Sequence, residues 1–214
     1  MWYRNKMMKV VKKSIHKDGL RKSTARLFII VGNTPNEAEN GKDLIIQAVD
    51  TMGALHAGII PKYTSRDEKA DDGNEMICNC TFLQRRNGIF KVKTKHGGDV
   101  KCDIVYQRRG NYYGFDSEVI WKGLKRGMFQ VVVISEAETI NKLRDRFGGL
   151  AVLIYVHSHN MKYNGQDKRT DEEFRLFSHN FSSFNHVLIY EDKAEDLYDQ
   201  IFRLFKAYEK GFVN

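Results

Sequence analysis

The sequence predicts an α/β fold: a parallel sheet flanked by helices, with a small antiparallel β subdomain inserted into the chain. Three observations carry this. The run Leu27-Phe28-Ile29-Ile30-Val31 is apolar without alternation, as in a strand covered on both faces. Further apolar runs at 129–134, 151–156 and 186–190 alternate with stretches of helical periodicity, the order that builds a parallel sheet. Between Pro61 and Gly114, short period-2 runs follow one another instead, parted by the turn pairs Asn87-Gly88 and Gly97-Gly98.

Taken in order, residues 1–24 form a basic extension. Residues 1–26 hold nine Lys or Arg against one acid, Asp18, whereas the rest of the chain carries 26 of each sign. The net charge of +8 therefore resides in this arm. Polyanion contact by residues 1–26, nucleic acid above all, is one expectation; a solvated extension is the other. Residues 25–61 begin the core, with the strand at 27–31 and the helical stretch DLIIQAVDTMGA. Residues 62–114 are the β insert, read as four runs: 76–82, 90–92, 100–106 and the stretch around Asn111-Tyr112-Tyr113.

Residues 115–158 return to the core through a helix marked by Val119, Ile120 and Leu124, ended by Gly127, then a strand, a helix over 139–147 and another strand. Residues 159–171 are polar, lack an apolar period and read as a lid-like loop. Residues 172–214 close the core with a helix, the strand at 186–190 and an amphipathic helix over 194–208.

No apolar run approaches the roughly 18 residues of a membrane span, and no apolar block follows the charged N-terminus as in a secretory signal. A cytoplasmic protein without membrane contact is expected. The three cysteines are an odd number and argue against a disulfide framework. Cys78 and Cys80 would share one face of a strand as core thiols. With His96 they fall short of a zinc set.

The stretch IIVGNTPNEAENGKD, residues 29–43, raises the question of function. A strand runs into Gly32, and Gly41-Lys42 precedes a helix, as in a phosphate-binding loop. Eight residues separate Gly32 from Gly41 where the standard loop has four, and Glu37 and Glu39 lie among them. Asn40, Gly41 and Lys42 retain backbone donors and an ammonium at the helix start. Asp43 stands where Ser or Thr is usual. The alternative is a plain surface loop between strand and helix.

Further on, Thr64-Ser65-Arg66-Asp67-Glu68-Lys69 is followed by Asp71-Asp72-Gly73, and later by an intact Gly110-Asn111-Tyr112-Tyr113-Gly114. With these blocks in this order, the chain resembles the guanylate kinase family of P-loop phosphotransferases over roughly residues 25–205, and is similar to ribose bisphosphate kinases. The resemblance implies a P-loop kinase-like sheet and a triphosphate site at Gly32, Asn40, Gly41, Lys42 and Asp43. It implies a monophosphate site at Arg66, Lys69 and Tyr113, with Met76 where the family has a second tyrosine. Lys42, Lys168 and Arg169 would be the catalytic cations, the last two in the lid beside Lys162. ATP or GTP would be the phosphoryl donor, and Asp43 would meet Mg²⁺.

The departures matter equally. The family's base-reading carboxylate falls near Ile104, with only Asp103 at hand, and the acids ending its next strand are Val133 and Ser135 here. The resemblance therefore implies a phosphotransferase acting on a nucleotide or sugar phosphate without guanine selectivity. Two alternatives stay open: an inactive module binding a phospho-ligand or a protein partner, and nucleic-acid binding through the arm.

Overall fold

A computed structural model of the chain describes residues 24–32, 41–51, 56–69, 76–134, 136–158, 183–191 and 193–213, with backbone alone for 41–43, 51 and 158. The extension 1–23, the loop 33–40 and the lid-like stretch 159–171 lie outside the described residues.

The central sheet runs β12-β11-β1-β10-β2, where β1 is Leu27–Gly32, β2 Ala57–Ile59, β10 Phe129–Val133, β11 Ala151–Ser158 and β12 His186–Tyr190. Every pairing in it is parallel. The unalternated β1 is buried at all six positions, because helices cover both faces. Phe28 and Ile30 pack against Leu44, Ile45, Ala48 and Val49 of α1 (Gly41–Thr51), and against Leu197, Ile201 and Phe205 of α4 (Ala194–Glu209). Leu27, Ile29 and Val31 pack against Ile120 and Leu124 of α2 (Ser117–Lys125), and against Ile140 and Leu143 of α3 (Ala137–Phe147).

The helices leaving the adjacent strands β1 and β10 thus lie on opposite faces, α1 on one and α3 on the other. In an open parallel sheet this reversal opens a crevice beyond the strands' carboxyl ends, where ligands bind. No helix among the described residues is long and apolar enough to cross a membrane.

The insert occupies the crossing from β2 to α2 and forms two small sheets. One is β4-β3-β9-β8, with β3 Lys62–Thr64, β4 Met76–Ile77, β8 Ile104–Arg108 and β9 Asn111–Phe115; it is antiparallel apart from the β3–β4 pair. The other is the antiparallel β5-β6-β7 sheet: Thr81–Gln84, Phe90–Lys93 and Asp99–Cys102. Buried Cys80, Val92 and Cys102 pack between them with Tyr63, Phe82, Phe90 and Val105. The opposite face of the four-stranded sheet joins the main core through Ile104 and Phe115.

Two runs expected as single strands are each broken. The stretch 76–82 divides into β4 and β5 around Asn79, at φ 57°. The stretch 100–106 divides at Asp103, so that β7 and β8 enter different sheets. Cys78 and Cys80 therefore do not share a strand face. The β8–β9 hairpin turns on Arg109 (φ 51°) and Gly110 (φ 78°), the pair of positive φ values that matches strand twist.

Candidate phosphate-binding crevice

On the core side, the crevice is bounded by the carboxyl ends of β1 and β10 and the first turn of α1. A right-handed crossover between parallel β1 and β2 makes α1 run antiparallel to them, which brings its N-terminus to the end of β1. Gly41, Lys42 and Asp43 form that first turn, whose amides have no partner within the helix. Gly32 closes β1, in register with Val156 of β11. Asn40, Lys168 and Arg169 lie outside the described residues, as do the side chains of Lys42 and Asp43.

At the end of β10, the Lys62 ammonium donates to the Val133 carbonyl at 3.1 Å. Two residues past Ile134, Glu136 caps α3: its carboxylate accepts from the Glu138 amide at 2.9 Å, the Thr139 amide at 2.7 Å and the Thr139 hydroxyl. Asp116 caps α2 by accepting from the Glu118 amide at 2.9 Å.

On the insert side, strand register assembles what the sequence separates by more than forty residues. Thr64 pairs with Tyr113, and Tyr113 with Tyr106. The Ser65 amide donates to the Tyr112 carbonyl at 3.0 Å, and the Tyr112 amide returns a bond to the Ser65 hydroxyl at 2.9 Å. Buried Thr64 accepts from the Arg66 amide at 3.1 Å. Of the residues expected at the monophosphate site, Tyr113 therefore sits on β9 opposite Thr64, and Arg66 in the bend two residues past the end of β3. The Arg66 guanidinium donates to the Asp67 carbonyl at 3.0 Å. Lys69 is exposed.

Tyr106 and Tyr113 stack at 5.1 Å with rings 13° apart. The Tyr106 phenol is pushed well up from its ordinary value, first by burial, then by Tyr113; Arg108 opposes the shift and Glu136 adds to it. Groups from both walls thus act on one hydroxyl. Arg108 pairs with Asn111 two positions along β8, which puts it on the same face as Tyr106. Lys62 and Arg108 are cations of this region that sequence reasoning missed. A Lys directly after Pro61, and an Arg two residues beyond an aromatic in a period-2 run, were the available signals.

Tyr112 points the other way, with ring centroids 5.5 Å from Phe82 and 5.7 Å from Phe90. Gly114 lies on that side too. A Cβ there would come within 3.0 Å of the Cys102 Cβ and 3.1 Å of Phe82, so this glycine lets the two insert sheets close.

Asp103, the carboxylate nearest the family's base-reading position, is engaged elsewhere. It accepts from the Ser117 hydroxyl at 2.6 Å and the Ser117 amide at 3.0 Å, and pairs with Arg146 at 2.8 Å. Burial raises its pKa, but Ser117 and Arg146 together outweigh burial and hold it below the usual carboxylate value. Ile104 is buried in the core. Ser135 lies outside the described residues. All three cysteines are free; Cys80 and Cys102 are buried, and burial first, then the Asp116 and Asp103 charges, push the Cys102 thiol up to about 12.

No protein-family profile matches the chain, and no curated protein matches it by sequence. Among solved structures, a guanylate kinase from Anaplasma phagocytophilum is similar at a TM-score of 0.58 and 13% identity, over 87% of this chain and 87% of that one. The likeness establishes a guanylate-kinase-like fold.

Proposed function

We propose that this protein is a guanylate-kinase-like phosphotransferase that moves a phosphoryl group from ATP or GTP to a nucleotide or another phosphate monoester. The observation that supports the reading is the pairing of β3 with β9, which sets Thr64 opposite Tyr113, with Arg66 two residues further along the chain. An acceptor phosphate would be held by the Arg66 guanidinium, a bidentate donor suited to phosphate oxygens, with the Tyr113 hydroxyl and Lys69 in supporting places. The donor phosphates would rest on the amides of Gly32, Asn40, Gly41 and Lys42, with the Lys42 ammonium on the transferring group.

The hard carboxylate oxygen of Asp43 in the first turn of α1 is the donor type that suits Mg²⁺, which when bound neutralises phosphate charge. Lys42, Lys168 and Arg169 would stabilise the charge that spreads over the transferring group, while α1 and the β3–β9 pair hold the reactants in line. Guanine selectivity is not part of this reading, since Ile104 is a core residue and Asp103 is committed to Ser117 and Arg146.

Calorimetric titration of GMP beside AMP, CMP, UMP and ribose phosphates tests the acceptor half. At least one monophosphate should bind without preference for GMP, and Arg66→Ala should weaken it by about 2–3 kcal/mol, the worth of a charge-assisted pair. GMP-selective binding, or an affinity indifferent to Arg66, would refute the assignment. The eight-residue spacing between Gly32 and Gly41 favours a second reading, a non-catalytic module that binds a phospho-ligand. That reading gains if monophosphates bind while no triphosphate is consumed.

A further inference from the structure

Apart from the crevice, the molecule carries a second concentration of charge. Residues 85–101 hold six Lys or Arg and one acid, Asp99; elsewhere between residues 27 and 214 there are 20 Lys or Arg and 25 Asp or Glu. The β5–β7 sheet turns this segment outward. Val92 and Cys102 face inward, so the alternating positions form the outer face in two cross-strand rows: Leu83-Lys91-Lys101 and Thr81-Lys93-Asp99.

Lys91 and Lys101, like charges directly opposite each other, are each tethered to an acid: Lys91 to Asp99 at 2.5 Å and Lys101 to Glu118 of α2 at 3.3 Å. Arg85 and Arg86 at one end of the sheet, and Lys93 and Lys95 toward the other, are exposed and form no ion pair among the described residues; Asp99, opposite Lys93, is taken up by Lys91. Like charges directly opposite each other on a sheet repel, and an anionic ligand would relieve that repulsion.

The surface is also concave. A groove of about 280 Å³ runs past Arg85, Lys91, Asp99 and Lys101, with one acid among its cations. Through the Lys101–Glu118 pair it adjoins a cavity of about 500 Å³ lined by Glu118, Trp121, Lys122 and Lys125. The larger hollow combines lysines with the Trp121 ring, whereas Phe90 in the smaller one belongs to the inward face of its sheet.

We propose that the outer face of the β5–β7 sheet, continued over α2, binds single-stranded nucleic acid through its phosphates, without base selectivity. Cations spaced along an exposed face follow a phosphate backbone, and the partly covered Trp121 ring can accept an unstacked base. A flat anionic membrane would not fill the two hollows. This surface is distinct from the crevice and from the basic arm, and does not depend on the phosphotransferase reading.

The test is fluorescence anisotropy of a labelled 20-residue oligothymidine with the full-length protein from 50 to 300 mM salt. The variants are Arg85→Glu/Arg86→Glu/Lys93→Glu on the sheet and Lys9→Glu/Lys12→Glu/Lys13→Glu on the arm. The three sheet positions are exposed, and circular dichroism would verify that the fold persists; Arg85→Gln/Arg86→Gln/Lys93→Gln is the milder variant. The wild type should bind, with log affinity falling linearly in log salt. The sheet charge reversal should weaken binding at least tenfold and flatten the salt slope by about 2, at roughly 0.7 for each lost phosphate contact. The Gln variant should fall between the two. An unaffected sheet variant, a wild type that does not bind at 50 mM salt, or a duplex preferred over the single strand would each overturn the proposal.

Discussion

Asp103 shows what a single residue does in joining the insert to the core. It sits where the chain passes from β7 to β8, and its carboxylate ties that point to the start of α2 through Ser117 and to α3 through Arg146. Removing it would leave the buried Ser117 short of its partner, so Asp103→Ala should lose about 3 kcal/mol in urea unfolding. Its folded pKa lies below the unfolded one, near 3.9. The associated stability is therefore complete above the unfolded value and is lost as pH falls through the folded value. The gap between wild type and variant should be constant from pH 7 to 5 and shrink toward pH 3.5. A gap independent of pH would mean that the ionised carboxylate is not what stabilises the junction. Residues of this kind were only partly legible. Arg66 and Tyr113 stood out because their neighbouring motifs occur in order; Lys62 and Arg108 did not, because alternation says which residues share a face but not which face fronts a crevice.

At the scale of elements, the parallel strands and their helices could be read directly, since unalternated apolar runs between helical stretches have few other solutions. The insert was harder. The runs 76–82 and 100–106 keep an apolar period of two through their breaks, although the halves of the second serve different cores: Val100 and Cys102 pack with Cys80 and Val92, whereas Ile104 and Tyr106 pack against the main core. A period cannot report that a strand has changed sheets. Helix starts are more explicit: Asp116 and Glu136 are both acids standing just before a helical run, and both are caps. Glu136 takes up two amides and a hydroxyl at the start of α3. Glu136→Ala should cost about 1–2 kcal/mol in thermal or urea unfolding. Glu138→Ala, which removes only an exposed pair with Lys142, should leave the transition unchanged. Equal effects of the two substitutions would show that Glu136 acts as surface charge and not as a cap.

For the whole molecule, the strand order and the opposite placement of α1 and α3 converge on the carboxyl ends of β1 and β10, yet the sequence proposed to hold phosphate there departs from the usual form of such a loop. Eight residues stand between Gly32 and Gly41, Glu37 and Glu39 among them. At about 6 Å and an effective dielectric of about 20, one such carboxylate repels a unit of phosphate charge by roughly 3 kcal/mol. Asp43, in place of a hydroxyl, adds further negative charge beside the site. Triphosphate binding should therefore be weak and should require Mg²⁺. A ligand at a hundred times its Kd stabilises the folded state by about 2.7 kcal/mol, which for a chain of 214 residues raises the Tm by about 5–10 °C. We expect millimolar ATP or GTP with Mg²⁺ to raise the melting temperature by part of that range, with little change when Mg²⁺ is omitted. Lys42→Ala should abolish the shift without lowering the melting temperature of the free protein. Shortening the loop to four residues together with Asp43→Thr should enlarge it, because both changes withdraw negative charge from the phosphates. If neither the wild type nor this restored variant responds to any triphosphate, the amides at the start of α1 do not form a donor site. The retained Arg66 and Tyr113 would then belong to a binding module and not to a kinase.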